Sequence, residues 1–222
     1  MKEVNSYGWK AVIGSSIGYA MDGFDLLILG FMLTLISGDL GLTTGQAGSL
    51  VTWTLVGAVI GGFIFGTLSD KFGRVRVLTW TIVLFAVFTG LCAFAQGYWD
   101  LLIYRTIAGI GLGGEFGIGM ALAAEAWPAQ HRAKATSYVA IGWQLGVLAA
   151  ALLTPVLLPY IGWRGMFMVG IIPAFVAWFF RAKLHEPEIF VQSKEIKEYS
   201  HTNSFKLLVK DVRTTKTSIG VA

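Results

Sequence analysis

Four ionisable side chains stand well inside long apolar stretches. GYAMDGFDLLILGF, from Gly18 to Phe31, holds Asp22 and Asp25, and the apolar run Leu101–Ala126 holds Arg105 and Glu115. An i,i+3 pair shares a helix face, so Asp22 and Asp25 would point the same way. Two carboxylates so close disfavour double ionisation, which suits them to reversible protonation. A charge in mid-membrane costs on the order of 3 kcal/mol even by the lower estimates. The helix would therefore turn this face to a water-filled cavity or to a partner of opposite charge. Arg105 is the one embedded cation. Two readings stay open. In one, the acids pair with Arg105 or cap a kink at Gly23 and only hold the structure together. In the other, Asp22, Asp25 or Glu115 carries a proton while Arg105 attracts a substrate anion, and protonation changes which state is favoured. Tyr19 and Gln144 join Arg105 as substrate-binding candidates on polarity alone.

These residues need elements to hold them, and composition says of what kind. The chain has 222 residues, 55% hydrophobic and only 14% charged. A soluble domain carries about 25% charged residues, so a lipid-embedded body is expected. Glycine is frequent at 28 and proline scarce at 5, a balance that suits closely packed membrane helices. Six apolar segments approach the ~20 residues that span a bilayer: Ala11–Ile36, Ala47–Leu68, Val77–Ala95, Leu101–Ala126, Thr136–Leu158 and Phe167–Phe180. The sixth is short unless it begins near Trp163. The expected fold is all-α, a polytopic transmembrane bundle spanning residues 11–181 after a cytoplasmic N-terminus at 1–10. Residues 182–216 read as a polar cytoplasmic linker with a short amphipathic helix at Phe205–Val209. Residues 217–222 turn apolar again, like the start of a seventh helix. The first run is too long and too acidic for a signal peptide.

Charge placement sets the orientation. With the N-terminus in the cytoplasm, Lys2, Lys10, Lys71, Arg74, Arg76, Arg132, Lys134, Arg181 and Lys183 fall on the cytoplasmic side. The outer loops Ser37–Gly45 and Gln96–Asp100 hold no Lys or Arg, and Arg164 is the outer-side exception. This is the positive-inside asymmetry. It accounts for the net charge of +4 without nucleic acid. Trp53, Trp99, Trp127 and Trp163 lie near expected helix ends, where their rings would favour the interface. Cys92 is the sole cysteine and reads as a packing residue. No His/Cys cluster suggests a metal, no cofactor is expected, and the nucleophile motifs of an enzyme are missing.

The second and third segments are joined by GTLSDKFGRVRVL, Gly66–Leu78. This resembles the loop signature of the major facilitator superfamily, G-x-x-x-D-[RK]-x-G-R-[RK]-[RK]. Gly66, Asp70, Lys71, Gly73, Arg74 and Arg76 match, and Val75 departs from it. Gly73 can adopt a positive φ and turn the chain tightly, and Gly66 would let a neighbouring helix approach. The resemblance implies that this cluster gates the protein, with Asp70 and Arg74 at its centre and Arg132 as a partner. YRTIAGIGLGGEFG (Tyr104–Gly117) resembles the family's fourth helix, and EAWPAQHRAKA, with Glu125 and Arg132, resembles the stretch that follows it. GWRGMF at Gly162–Phe167 is similar to the start of the sixth. The antiporter pattern of the fifth helix is missing, since Val147 stands where its proline would be.

The resemblance covers roughly residues 9–190 and implies the N-terminal six-helix half of a twelve-helix transporter. The partner would then be the C-terminal half of the same protein, in a lipid bilayer. A six-helix protein that pairs with a second copy is the alternative. DGFDLLILGF is similar to the first-helix pattern of bacterial proton symporters for organic acids, the aromatic-acid and sialate transporter branches, and GLGGEFG and EAWP resemble the sialate-like branch in particular. This implies proton-coupled uptake of a small organic anion across the inner membrane. A sugar or polyol porter of the same superfamily is the alternative, and a non-transporting membrane sensor is an alternative of another class.

Overall fold

The computed structural model describes residues 6–181, all within one compact unit. The expected linker, its amphipathic helix and the start of a seventh span lie outside the described residues. Helix α1 runs Ser6–Leu40, α2 Thr44–Phe72, α3 Arg74–Cys92 and α4 Tyr98–Glu125. A single 3-10 turn, Ala129–His131, leads into a helical run Arg132–Arg181. That run breaks at Gly162, whose φ of 64° and ψ of 179° are not helical. We number its parts α5 (132–161) and α6 (163–181). At ~1.5 Å per residue, the 19-residue α3 and the similar α6 reach ~28 Å, close to the ~30 Å of a hydrocarbon core. The sixth helix is thus full length, because it begins just beyond Gly162 and not at Phe167.

The surface is inverted relative to a soluble protein. Val59 is 76% exposed and Phe63 64%, while Arg105 and Asp25 are 0%. Apolar side chains cover the outside because lipid solvates them at no cost, and charges retreat inward where they can pair.

Hydrophobicity cannot pull such helices together in lipid, so close backbone packing must. α1 packs chiefly on the α5–α6 run, and α2 on α4. A Cβ at Gly61 would come within 1.9 Å of the Ile110 carbonyl oxygen, and one at Gly113 within 1.8 Å of that of Ala58. The α1–α5 crossing repeats the device, with Gly142 against Ser16 and Gly146 against Ala20. α1 runs through Gly23 without a break. Gly23 serves close approach instead, since its Cβ would lie 2.6 Å from the Trp143 carbonyl oxygen. The reading of the acids as caps of a kink there is set aside.

Both helix pairs α2–α3 and α5–α6 turn on a glycine with positive φ, 111° at Gly73 and 64° at Gly162. At each an arginine follows and bonds a carboxylate at the C-terminal end of another helix: Arg74 with Glu125 of α4, Arg164 with Asp39 of α1. Arg164 also donates to the Ala95 carbonyl at 3.1 Å and stacks on the Trp163 ring at 4.1 Å. The tie joins the ends of α1, α3 and α6. Two of the tryptophans expected at the interface are not belts at all. Trp127 is buried and donates to the Gly8 carbonyl, and Trp163 is buried and donates to Asp39, each at 3.0 Å. Their indole N–H groups are satisfied by protein, which fixes the rings as internal ties. Trp53 and Trp99 are exposed.

Candidate functional site

The centre of the site is an ion pair between the middle of α1 and the first third of α4. Arg105 donates from Nη1 to Asp25 Oδ1 at 3.0 Å and from Nη2 to Oδ2 at 2.7 Å. This two-pronged geometry matches the planar guanidinium to the carboxylate. Arg105 Nε reaches Thr54 Oγ1 of α2 at 3.4 Å, and the Phe167 ring of α6 lies 5.8 Å from the guanidinium carbon. Cys92 of α3 lies beside the guanidinium and donates to the Phe88 carbonyl. Five helices therefore enclose one charge pair. Each ion holds the other in place, and loss of either leaves an uncompensated charge in apolar surroundings.

Glu115 lies three helical turns from Arg105 on α4 and is buried, accepting from Thr81 Oγ1 of α3 at 2.9 Å. Asp22 is buried on α1 one turn before Asp25, with the Tyr19 hydroxyl in its electrostatic reach. Tyr19 is half-buried, and Gln144 of α5 is exposed. The structure thus joins Asp25 directly to Arg105 and keeps Asp22 and Glu115 as separate buried carboxylates. Thr54, Thr81 and Phe167 were not singled out in the sequence. The two threonines carried a signal, as hydroxyls in otherwise apolar runs. Phe167 carried none.

The loop signature forms a second cluster. Arg74 Nη1 lies 2.7 Å from Asp70 Oδ1 and 2.6 Å from Ser69 Oγ, and Nη2 lies 3.1 Å from Glu125 Oε1. Burial opposes the charge on Arg74, but the bonds to Glu125 and Asp70 outweigh it and hold its pKa above the ordinary value. Asp70 pairs with Arg74 of its own loop. Arg132, expected as its partner, is exposed and makes no ion pair with it. Lys71 lies over the Phe72 ring at 5.4 Å, and Arg76 is exposed. Gly73 adopts the positive φ expected of it. Among the described residues no helix approaches Gly66: a Cβ there would meet nothing within 4 Å.

Glycine-packed apolar helices that enclose a paired arginine and carboxylate, with a charged cluster at one end, mark a polytopic helical membrane protein. The profile of the Major Facilitator Superfamily matches residues 15–220, and the chain belongs to that family. A Haemophilus influenzae protein named provisionally as a metabolite transport protein is 75% identical over 99% of this chain and 55% of its own length. A Cupriavidus pinatubonensis protein, named provisionally as a 4-methylmuconolactone transporter, is 41% identical over 80% of this chain and 42% of its own length. The sialic acid transporter NanX of Escherichia coli is 33% identical over 87% of this chain and 48% of its own. The chain spans about half the length of the curated relatives it matches. Among solved structures, the xylose transporter XylE of Escherichia coli, in a partially occluded inward-open form, superposes with a TM-score of 0.77 at 24% identity, covering 87% of this chain and 52% of that one. That likeness establishes the fold: an all-α bundle of six spanning helices, the N-terminal half of the major-facilitator architecture.

Proposed function

We propose that the protein is a secondary transporter that carries a small organic anion across the cytoplasmic membrane together with protons. The observation that carries this reading is the fully buried Asp25–Arg105 pair. Such a pair comes apart without stranding a charge only if a proton neutralises Asp25 and an anionic substrate takes its place on the guanidinium. Proton and anion would then enter as a neutral unit, and the binding of each favours the other. The relatives named for sialic acid and methylmuconolactone support an organic acid as cargo. Asp22, one turn from Asp25, and Glu115, three turns along α4 from Arg105, are further proton-coupling candidates, and Tyr19 and Gln144 are substrate-binding candidates. Binding would occur near the bilayer midplane, with a second six-helix half as partner. Gly66, Asp70, Lys71, Gly73, Arg74, Arg76, Glu125 and Arg132 belong to the gating region of this reading. Within it Arg74 ties α3 to the end of α4. The N-terminus and the linker lie in the cytoplasm.

Uptake into cells or vesicles of a labelled panel (sialate, benzoate, lactate and a neutral sugar), with and without an imposed pH gradient, tests the reading. Gradient-driven accumulation of an acid is expected. Equal uptake without the gradient, or uptake of the sugar alone, would overturn it.

A further inference from the structure

The Arg105 guanidinium lies over the face of the Phe167 ring, 5.8 Å from its centroid. Phe167 is 0% exposed and sits in the second turn of α6. Trp163, one turn earlier and also buried, meets the ring at 6.0 Å and a right-angled 89°. Trp163 is itself fixed, because its indole N–H is given to Asp39 near the end of α1. Arg164 donates to the same carboxylate and to the Ala95 carbonyl beyond α3. The start of α6 is thus pinned to two other helix ends, and the ring is held over the arginine.

Packing alone would be met by any bulky apolar side chain at this position. A ring differs in its negative face, which attracts a cation. That attraction matters little while Asp25 holds both Nη atoms, at 3.0 and 2.7 Å, and neutralises their charge. It matters once Asp25 takes up a proton and lets go. Thr54 Oγ1 then stays at 3.4 Å, long for a hydrogen bond. Its own proton goes to the Leu50 carbonyl at 2.7 Å, so it can only accept. Cys92 stands beside the guanidinium, but its thiol proton goes to the Phe88 carbonyl. Neither group is an anion. At a fully buried site the ring face is the largest compensation left for the cation.

We propose that Phe167 is a positioning residue whose ring, braced by Trp163, holds the Arg105 guanidinium in place after Asp25 releases it and until a substrate carboxylate arrives. The role rests on the organic-anion reading and deepens it, by naming what keeps the cation aligned between its two anionic partners.

Phe167→Leu made in three backgrounds tests this, read by thermal unfolding of the purified protein in detergent. With Arg105→Met the ring faces no charge, and its loss costs packing alone. In the wild type the ring faces a cation that Asp25 neutralises. With Asp25→Asn the ring is the main partner of the cation. The fall in melting temperature should grow in that order, and the last should exceed the first by about 2–6 °C, the worth of a desolvated cation–π contact at this chain length. Equal falls in all three would make Phe167 a packing residue and overturn the proposal. If the Asp25→Asn/Phe167→Leu protein does not fold, wild type against Arg105→Met decides in its place. Uptake of benzoate and sialate gives a second reading: Phe167→Leu should raise KM about three- to tenfold and lower the maximal rate by less than about twofold. A lower rate at unchanged KM would overturn the positioning role while leaving the organic-anion reading intact. Uptake of neither acid by the wild type would refute the organic-anion reading, and the order of melting temperatures would still decide whether the ring holds the arginine.

Discussion

Removing the charge on Asp25 should destabilise the protein far more than removing both members of its pair. In Asp25→Asn the Arg105 guanidinium stays fully buried but loses its carboxylate. What remains around it is a 3.4 Å contact to Thr54, the neighbouring Cys92 side chain and an aromatic ring at 5.8 Å. Stranding a buried charge in this way costs about 3–5 kcal/mol. For a chain of this size that is a fall in melting temperature on the order of 10 °C. The double variant Asp25→Leu/Arg105→Met replaces the pair with apolar groups of similar bulk, and such exchanges are near neutral or stabilising. It should melt near the wild type while losing gradient-driven accumulation. Thermal unfolding of the purified proteins in detergent, read beside uptake, provides both quantities. A single variant that melts within a degree or two of the wild type would show that water reaches Arg105. A double variant as unstable as the single would show that the site depends on the charges for its packing. Either result would refute the argument from burial.

Glycine positions on the same loop-and-helix pattern should separate cleanly. Gly113→Ala drives a Cβ into the Ala58 carbonyl and should cost at least the ~1–3 kcal/mol of an overpacked core, whereas Gly66→Ala meets open space and should stabilise α2 by about 0.5–1 kcal/mol; thermal unfolding distinguishes them, and equal effects would mean the α2–α4 contact is looser than described. Glu125→Gln removes the tie from Arg74 to the end of α4 and should cost about 1 kcal/mol, while slowing exchange between open states measured by single-molecule fluorescence. Asp39 has its carboxyl held below the ordinary value by hydrogen bonds from Arg164 and Trp163. The tie therefore contributes stability above the usual carboxylate range and loses it as pH falls through the lowered value. Arg164→Gln should flatten this acid limb of a melting-temperature profile, and an unchanged limb would assign it to another group.

Legibility in the sequence followed a physical divide. The spans were readable because crossing a bilayer demands a local property, ~20 apolar residues in a row. Gly73 was readable because a loop signature fixes its neighbours. Gly66 belonged to the same signature, but the close approach expected of it is made by none of the described residues. No local rule says which glycine faces a helix and which faces open space. The i,i+3 spacing placed Asp22 and Asp25 on one face, yet it could not say which of them Arg105 would choose.

The sequence by itself determined six helices, the turn at Gly73, the burial of four charged groups and the family. Each follows from composition, periodicity or a contiguous motif. The tertiary structure alone decided that Arg105 closes on Asp25 across 80 residues of chain, that Asp70 turns to Arg74 and leaves Arg132 exposed, and that Trp127 and Trp163 are internal ties. It alone brought the Phe167 ring over Arg105 and set Trp163 against it. Periodicity gives the face a residue occupies on its own helix, but rotation about that axis and the choice of neighbour are fixed only when close-packed glycines set how six helices cross.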